Sequence, residues 1–178
     1  MTILDRPFLT IELSITLRVA VRADLPKLEW YGQYTHYRQL FRRAYREQQA
    51  GRRLMLLALT NDYPIGMIFI QFQSSEGKVA DGSTRAYLYS LRVMEMFRGK
   101  GIGTQLIREA EGIVLHRGFH WTTIAVAKNN HTACRLYKRL GYSIFKDDPG
   151  QWSFLDHEGQ VRQISEPCWL LQKNLLIG

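Results

Sequence analysis

Gly99, Gly101 and Gly103 crowd three glycines into five positions, with Arg98 and Lys100 beside them, in the run MFRGKGIGTQLI. Glycine weakens a helix and loses more backbone entropy on folding than any other residue, so such a cluster serves a turn or a ligand that must come close. Downstream, Ile102, Leu106, Ala110, Ile113 and Val114 trace one apolar stripe of helical spacing. Flexible and cationic residues therefore stand at the mouth of a helix. The first four N–H groups of a helix lack intrahelical partners, and the helix dipole makes that end electropositive. A loop with little side-chain bulk lets an anion reach those donors, which makes phosphate the natural ligand. Arg98 and Lys100 add mobile charge.

Two familiar phosphate patterns do not fit. The lysine precedes Gly101, and no Gly-Lys-Ser/Thr closes the loop, so GxxxxGK[ST] is absent. The residue three after Gly103 is Leu106, so GxGxxG fails too. The pattern left is Arg98-x-x-Gly101-x-Gly103 between a strand and a helix, which taken alone also suits a tight strand-to-helix turn.

Periodicity and turn residues define the surrounding elements. Residues 14–21 alternate apolar and polar and predict a strand. ADLP at 23–26 carries the acid and proline expected in a first helical turn, and helical pattern continues to Gly51, split near Gly32. Residues 54–59 and 67–72 predict two strands joined by the turn NDYPIG, 61–66. A polar loop at 74–83 precedes a strand at 86–93. Next come a helix at 104–117, a strand at 121–126, a helix at 130–140 and a strand at 142–146. Residues 147–167 read mostly as loop, with a short hairpin about 156–159, and 169–173 as a last strand. Strand 86–93, helix 104–117 and strand 121–126 form a βαβ unit, whose strands lie parallel because a right-handed crossover joins them. The fold class is mixed α/β.

At 178 residues the chain predicts one domain over 1–178, with residues 1–13 as an N-terminal extension. A chain this long buries about 70% of the surface its unfolded form exposes, so its core needs neither metal nor disulfide. No apolar run reaches the roughly 18 residues of a membrane span, and the N-terminus lacks a basic-then-apolar signal pattern. The chain reads as cytoplasmic. Cys134 and Cys168 form no CxxC and no Cys/His metal pattern, so they read as small apolar residues. The net charge of +8 favours an anionic partner: nucleic acid, an acidic surface or a phosphorylated cofactor. Much of it lies in RQLFRRAYREQQAGRR, 38–53, either a solvated helix face or a docking face for an anionic substrate or partner.

Two blocks give the chain a family likeness. LRVMEMFRGKGIGTQLI, 91–107, resembles the [Q/R]-x-x-G-x-[G/A] signature of the GNAT superfamily of N-acetyltransferases. NNHTACRLYKRLGY, 129–142, is similar to that family's downstream N-x-x-A-x-x-L-Y-x-x-x-G-[F/Y] stretch, carried by Asn130, Ala133, Leu136, Tyr137, Gly141 and Tyr142. The resemblance covers roughly residues 15–146, strongest over 87–142.

The resemblance implies a single mixed, mostly antiparallel sheet of about seven strands, with a central parallel pair splayed to admit acyl-CoA. It implies acetyl-CoA as cosubstrate and transfer of its acetyl group to a primary amine by direct attack in a ternary complex, without a metal. Backbone groups of Leu91 and Val93 would meet the pantetheine arm. Amides of Arg98, Gly99, Lys100, Gly101, Ile102 and Gly103, with Thr104 opening the helix, would cradle the pyrophosphate. Asn130 would contact the cofactor arm, cap its helix, or do both. Tyr137 stands where many members carry the acid that protonates the departing sulfur, though Ala133, Leu136 and Leu140 share its helical face and make a core role equally natural. A thiol of pKa ~8.5 leaves as thiolate at a penalty of only ~2 kcal/mol at pH 7. Losing Tyr137 should slow the reaction rather than abolish it.

Many members hold a carboxylate on the strand before the loop, as a base toward the amine. Here those positions are Tyr89 and Ser90. Freeing a lysine-like amine of pKa ~10.4 at pH 7 costs ~4.6 kcal/mol, whereas an α-amine near ~7.8 costs ~1 kcal/mol, so a site without a strong base suits the second. Tyr89, Glu29 or His36 could otherwise act through a water. In the family, segments corresponding to 25–51 and 147–167 wall the acceptor site. Here they hold Trp30, Tyr31, Tyr34, His36, Tyr37, Trp152 and Phe154. The basic stretch points to an acidic protein or small molecule as acceptor, and a homodimer is compatible with the pattern. Two other classes stay in view. A non-catalytic acyl-CoA-binding sensor fits the missing carboxylate. A nucleic-acid binder fits the charge but lacks any helix-turn-helix, zinc or RNP signature.

Overall fold

The computed structural model describes residues 9–75 and 77–177. Of the extension expected over 1–13, residues 1–8 lie outside the described residues. Seven strands form one sheet in the order β1-β2-β3-β4-β5-β9-β6. In chain order these are β1 (Thr16–Val19), β2 (Arg53–Thr60), β3 (Tyr63–Gln71), β4 (Arg85–Val93), β5 (Trp121–Ala127), β6 (Ser143–Asp148) and β9 (Cys168–Asn174). The helices are α1 (Arg38–Gln49), α2 (Ile102–His116) and α3 (His131–Arg139). β4 and β5 are parallel, as a helical crossover demands; every other pairing in the sheet is antiparallel.

The central strands β2 and β3 are buried on both faces. One face packs Leu54, Leu56, Ile68, Ile70 and Leu88 under Leu106, Ile107, Ala110 and Val114 of α2 and Tyr137 of α3. The other packs Met55, Leu57, Met67 and Phe69 under Leu28, Trp30, Phe41 and Ala44 of the first helical region. The two layers pull strand side chains in opposite directions, which fixes the register, because a one-residue slip would exchange the faces.

Four local expectations need correction. The region 22–51 is not two α-helices: Arg22–Glu29 is a 3-10 helix containing Pro26, whose ring cannot donate to a helical ladder. Trp30, Tyr31 and Gly32 then take left-handed φ and turn the chain into a short 3-10 segment, Thr35–Tyr37, that leads into α1. The turn after β2 is only Asn61-Asp62, both with positive φ, the pattern of a two-residue hairpin. Gly66 therefore lies inside β3 rather than in the turn, where a Cβ would meet Leu106 Cδ1 at 3.2 Å; the missing side chain lets α2 settle on the sheet. Finally, 147–167 is mostly ladder, not loop: the hairpin expected about 156–159 is present but longer, β7 (Gln151–Leu155) pairing with β8 (Val161–Ser165) around Asp156, which accepts from the N–H of Glu158 and Gln160.

Candidate acyl-donor and acceptor site

β4 and β5 pair only from Arg85/Trp121 to Leu88/Ile124. Beyond that point β5 runs on to Ala127 paired with β9 alone, while β4 runs on to Val93 paired with β3 alone. The two parallel strands thus diverge toward their C-terminal ends. The cause is local. Ser90 takes φ of 55°, in the left-handed region that a non-glycine residue rarely adopts, and the pairing of β3 with β4 shifts register between Met67 and Phe69. This is a β-bulge, and it bends the strand and re-aims the side chains beyond Ser90. Ala86 and Leu88 face α2; after the bulge Leu91 and Val93 face it as well, while Tyr89 and Arg92 face the first helical region. Serine carries no sequence signal for this geometry.

At the open end of β4 a 3-10 turn, Glu95–Phe97, leads into Arg98. Gly99 and Gly101 adopt φ of 72° and 84°, and a Cβ on either would meet no atom within 4 Å. The space before α2 is therefore open, and left-handed backbone is the reason glycine is required there. Gly101 is the N-cap of α2 and no side chain caps the helix, so the first-turn N–H groups of Ile102, Gly103 and Thr104 remain for an anion. Arg98, Gly99 and Lys100 are exposed or nearly so, Gly103 and Thr104 half-buried, and the Ile102 side chain buried in the core. Arg98 folds back, donating from Nε to the Val93 carbonyl at 2.9 Å, so one of the two β4 residues assigned to the cofactor arm already has its carbonyl engaged. These features fit a diphosphate at the helix start.

Asn130 accepts from the Ala133 N–H at 3.1 Å and so caps α3, while its side-chain NH₂ keeps its donors for another partner. Tyr137, on α3, is buried in the α2-side core; burial alone pushes its hydroxyl up to about 12. Tyr142 beside it has its hydroxyl committed, accepting from Thr122 at 3.0 Å and donating to Glu111 at 2.8 Å, with Lys173 Nζ 2.8 Å from the other Glu111 oxygen. This buried network ties α2 to β5, β9 and the end of α3. Tyr87 and Tyr89 stack, with ring centroids 5.5 Å apart, and burial raises both phenols above the ordinary tyrosine value. The Tyr89 hydroxyl accepts from Arg53, which is also paired with Glu47. Tyr87 thus backs Tyr89 along the strand, an alternation visible in the sequence.

The seven aromatic residues of the expected acceptor walls separate into two groups. Trp30 is core, its indole N–H bonded to the Pro64 carbonyl at 2.9 Å, and Tyr31 stacks outside on Tyr63. The remaining five meet: Phe154 lies 5.1 Å from Tyr37, 6.4 Å from His36 and 5.3 Å from Trp152, with Tyr34 stacked on Tyr37 at 6.1 Å. Burial and nearby Arg92 lower the His36 pKa, so the ring is neutral at pH 7. Glu29 is bound by Arg38 at 2.6 and 2.8 Å, which pulls its carboxyl down and makes it a weak base. The basic helix thus spends part of its charge internally, on Glu29 and Glu47. Arg42 and Arg46 remain beside Leu25, Pro26 and Tyr45 along an outer groove of about 730 Å³.

A divergent parallel pair with an uncapped glycine-rich helix start is the architecture of an acyl-CoA-binding α/β fold. Residues 22–142, more than half of the chain, match the Acetyltransferase (GNAT) family, and the chain belongs to it. Thialysine N-epsilon-acetyltransferase of Mus musculus is 33% identical over 79 residues, 44% of this chain and 46% of that protein. N-alpha-acetyltransferase 30 of Schizosaccharomyces pombe is 28% identical over 90 residues, 51% of this chain and 57% of its own. The chain spans about half the length of these relatives. Arabidopsis thaliana NAA60, solved in complex with acetyl-CoA, superposes with a TM-score of 0.69 over 92% of this chain and 99% of that one, at 19% identity. That likeness supports the fold. Among the described residues no helix is long and apolar enough to cross a membrane.

Proposed function

We propose that the protein transfers an acetyl group from acetyl-CoA to a primary amine. The observation that carries this reading is the end of β4–β5 pairing at Leu88/Ile124, directly before a glycine-lined, uncapped helix start. Acetyl-CoA supplies the activated acetyl group as a thioester. Amides from Arg98 to Gly103, with Thr104, bind the diphosphate, and Lys100 adds charge. Leu91 and Val93 offer backbone groups in the gap, and the side-chain amide of Asn130 meets the cofactor arm. Tyr137 donates its proton to the departing sulfur as the C–S bond breaks and the amine nitrogen bonds to the acetyl carbon. Tyr89, with its oxygen fixed by Arg53, passes the amine proton to water. Tyr34, Tyr37 and Phe154 line the acceptor side.

Named relatives act on an ε-type amine and on N-alpha positions. Neutral His36 and the engagement of Glu29 leave no strong base beside the aromatic wall, which favours an amine of low pKa. The test combines calorimetry of acetyl-CoA binding with thiol release against a panel of amines. Acceptor-dependent release is expected. Tight cofactor binding with no release for any amine would instead mark a sensor, and absence of binding would remove both readings.

A further inference from the structure

Arg92 Nη1 is buried and has no hydrogen-bond partner among the described residues. The guanidinium lies against two rings that stack on each other, 4.7 Å from the centroid of Tyr34 and 5.0 Å from that of Tyr37. Cation–π contact holds the plane of the group but supplies no acceptor for its N–H. Buried polar groups in folded proteins are nearly always hydrogen-bonded, and a charged donor left over is an exception that asks for a partner.

The acids that could neutralise it are spent elsewhere. Both oxygens of Glu29 are on Arg38. Asp156 gives one oxygen to Arg162 at 2.7 Å and the other to the amides of Glu158 and Gln160. His36 contributes no negative charge. The phosphates of the acyl donor do not reach this group either, because they are met at the start of α2, on the opposite face of the sheet. Arg92 came to this face only because of the bulge at Ser90.

We propose that Arg92 binds a carboxylate carried by the amine acceptor. This rests on the acetyltransferase reading and specifies its substrate class. A guanidinium presents parallel N–H groups that match a carboxylate in a two-point contact, which lysine cannot reproduce. The flanking tyrosines fix its plane, and Phe154 of the β7–β8 hairpin closes the wall beside Tyr37. The carboxylate is either the α-carboxylate of a free amino acid or an acidic side chain near a peptide N-terminus; the contact is the same.

Two matched pairs separate the sources: Nα-acetyllysine against its amide, which carry the same single ε-amine, and short peptides with Asp against Asn at the second position. Thiol release is followed for each with saturating acetyl-CoA. The carboxylate member of one pair is expected to have a kcat/KM about 10-fold higher or more, and the responding pair identifies the source. In Arg92→Gln the ratio should fall to about 2-fold or less, with Arg92→Lys between the two. Ratios near unity in both pairs of the unaltered protein, with turnover intact, overturn the carboxylate assignment and spare the acetyltransferase reading; this comparison needs no variant to fold. No release from any of the four acceptors or from the wider amine panel, with acetyl-CoA still bound, overturns both.

Discussion

The Arg53 guanidinium lies over the ring of Tyr89, 5.3 Å from its centroid, and donates from Nη1 to the Tyr89 hydroxyl. Glu47 holds Arg53 from the other side, so the phenol oxygen is fixed as an acceptor while its O–H remains able to donate. Burial raises the phenol, with Arg53 opposing, and the net shift is upward. A tyrosine above its ordinary value of about 10 is neutral at working pH, as the proposed proton relay requires. Tyr89→Phe should lower kcat/KM by about 10²-fold. It should leave the ascending limb of the pH–rate profile where it is, since that limb belongs to the acceptor amine. A limb that moves in the variant contradicts the relay.

Tyr137 differs because nothing but burial acts on it, and its hydroxyl is pushed up to about 12. So weak an acid helps a leaving thiolate only modestly, because a thiol of pKa ~8.5 departs readily without it. Tyr137→Phe keeps the ring that packs against Tyr142 and should fold normally. It should reduce kcat by about 10- to 100-fold with acetyl-CoA affinity little altered. In the unaltered enzyme no descending limb from Tyr137 should appear below about pH 11. Stopped-flow or steady-state profiles up to about pH 10 check this; a limb near about pH 9 that vanishes in Tyr137→Phe would contradict the raised pKa, while an unchanged kcat in the variant would refute the acid role.

The glycine loop, the βαβ unit and the Tyr137 position are legible in the sequence because each is local: helix period, turn residues and a motif of fixed spacing all lie within a few residues. The sheet's seven strands are legible for the same reason. Arg92 is not, because its meaning depends on the bulge at Ser90, and a serine with positive φ announces nothing in a sequence. Of the β7–β8 hairpin only the turn about 156–159 is legible, because its strands alternate weakly and sit exposed, leaving little hydrophobic contrast. Trp30 cannot be told from Tyr31: neighbouring aromatics on one turn look alike until the left-handed turn sends one into the core and the other out.

Two glycines of the α2 region should respond oppositely to alanine. Gly101 has open space around a would-be Cβ, but its φ of 84° forces any other residue into left-handed backbone. Gly101→Ala should cost about 1–2 kcal/mol, a fall in Tm of roughly 2–8 °C, and weaken acetyl-CoA binding by about 10-fold as a methyl enters the anion's approach. Gly112 sits within α2 with nothing within 4 Å of a Cβ. Gly112→Ala should raise Tm by about 1–4 °C, since alanine restricts the unfolded chain and suits the helix. Differential scanning calorimetry with and without acetyl-CoA separates strain from ligand loss.

Asp24 sets a stability limit on the acid side. Asp24 is 1% exposed; its carboxylate accepts from both terminal nitrogens of Arg18 at 2.7 and 3.0 Å and from the Val21 N–H at 2.8 Å. Burial alone would raise its pKa; the hydrogen bonds from Arg18 and Val21 together outweigh that and lower it. With the folded value below the unfolded ~3.9, the unfolded chain binds the proton first as pH falls. The stabilisation is therefore complete above about pH 5 and is lost as pH drops through the folded value. Asp24 anchors the start of the segment that carries Tyr34 and Tyr37, so its protonation should loosen that segment. Asp24→Asn should cost roughly 1–3 kcal/mol at pH 7, moderated because Arg18 regains water. It should also flatten the dependence of the urea midpoint on pH between about 5 and 2. If the variant's midpoints fall in parallel with those of the unaltered protein across that range, the acid sensitivity lies with other carboxylates.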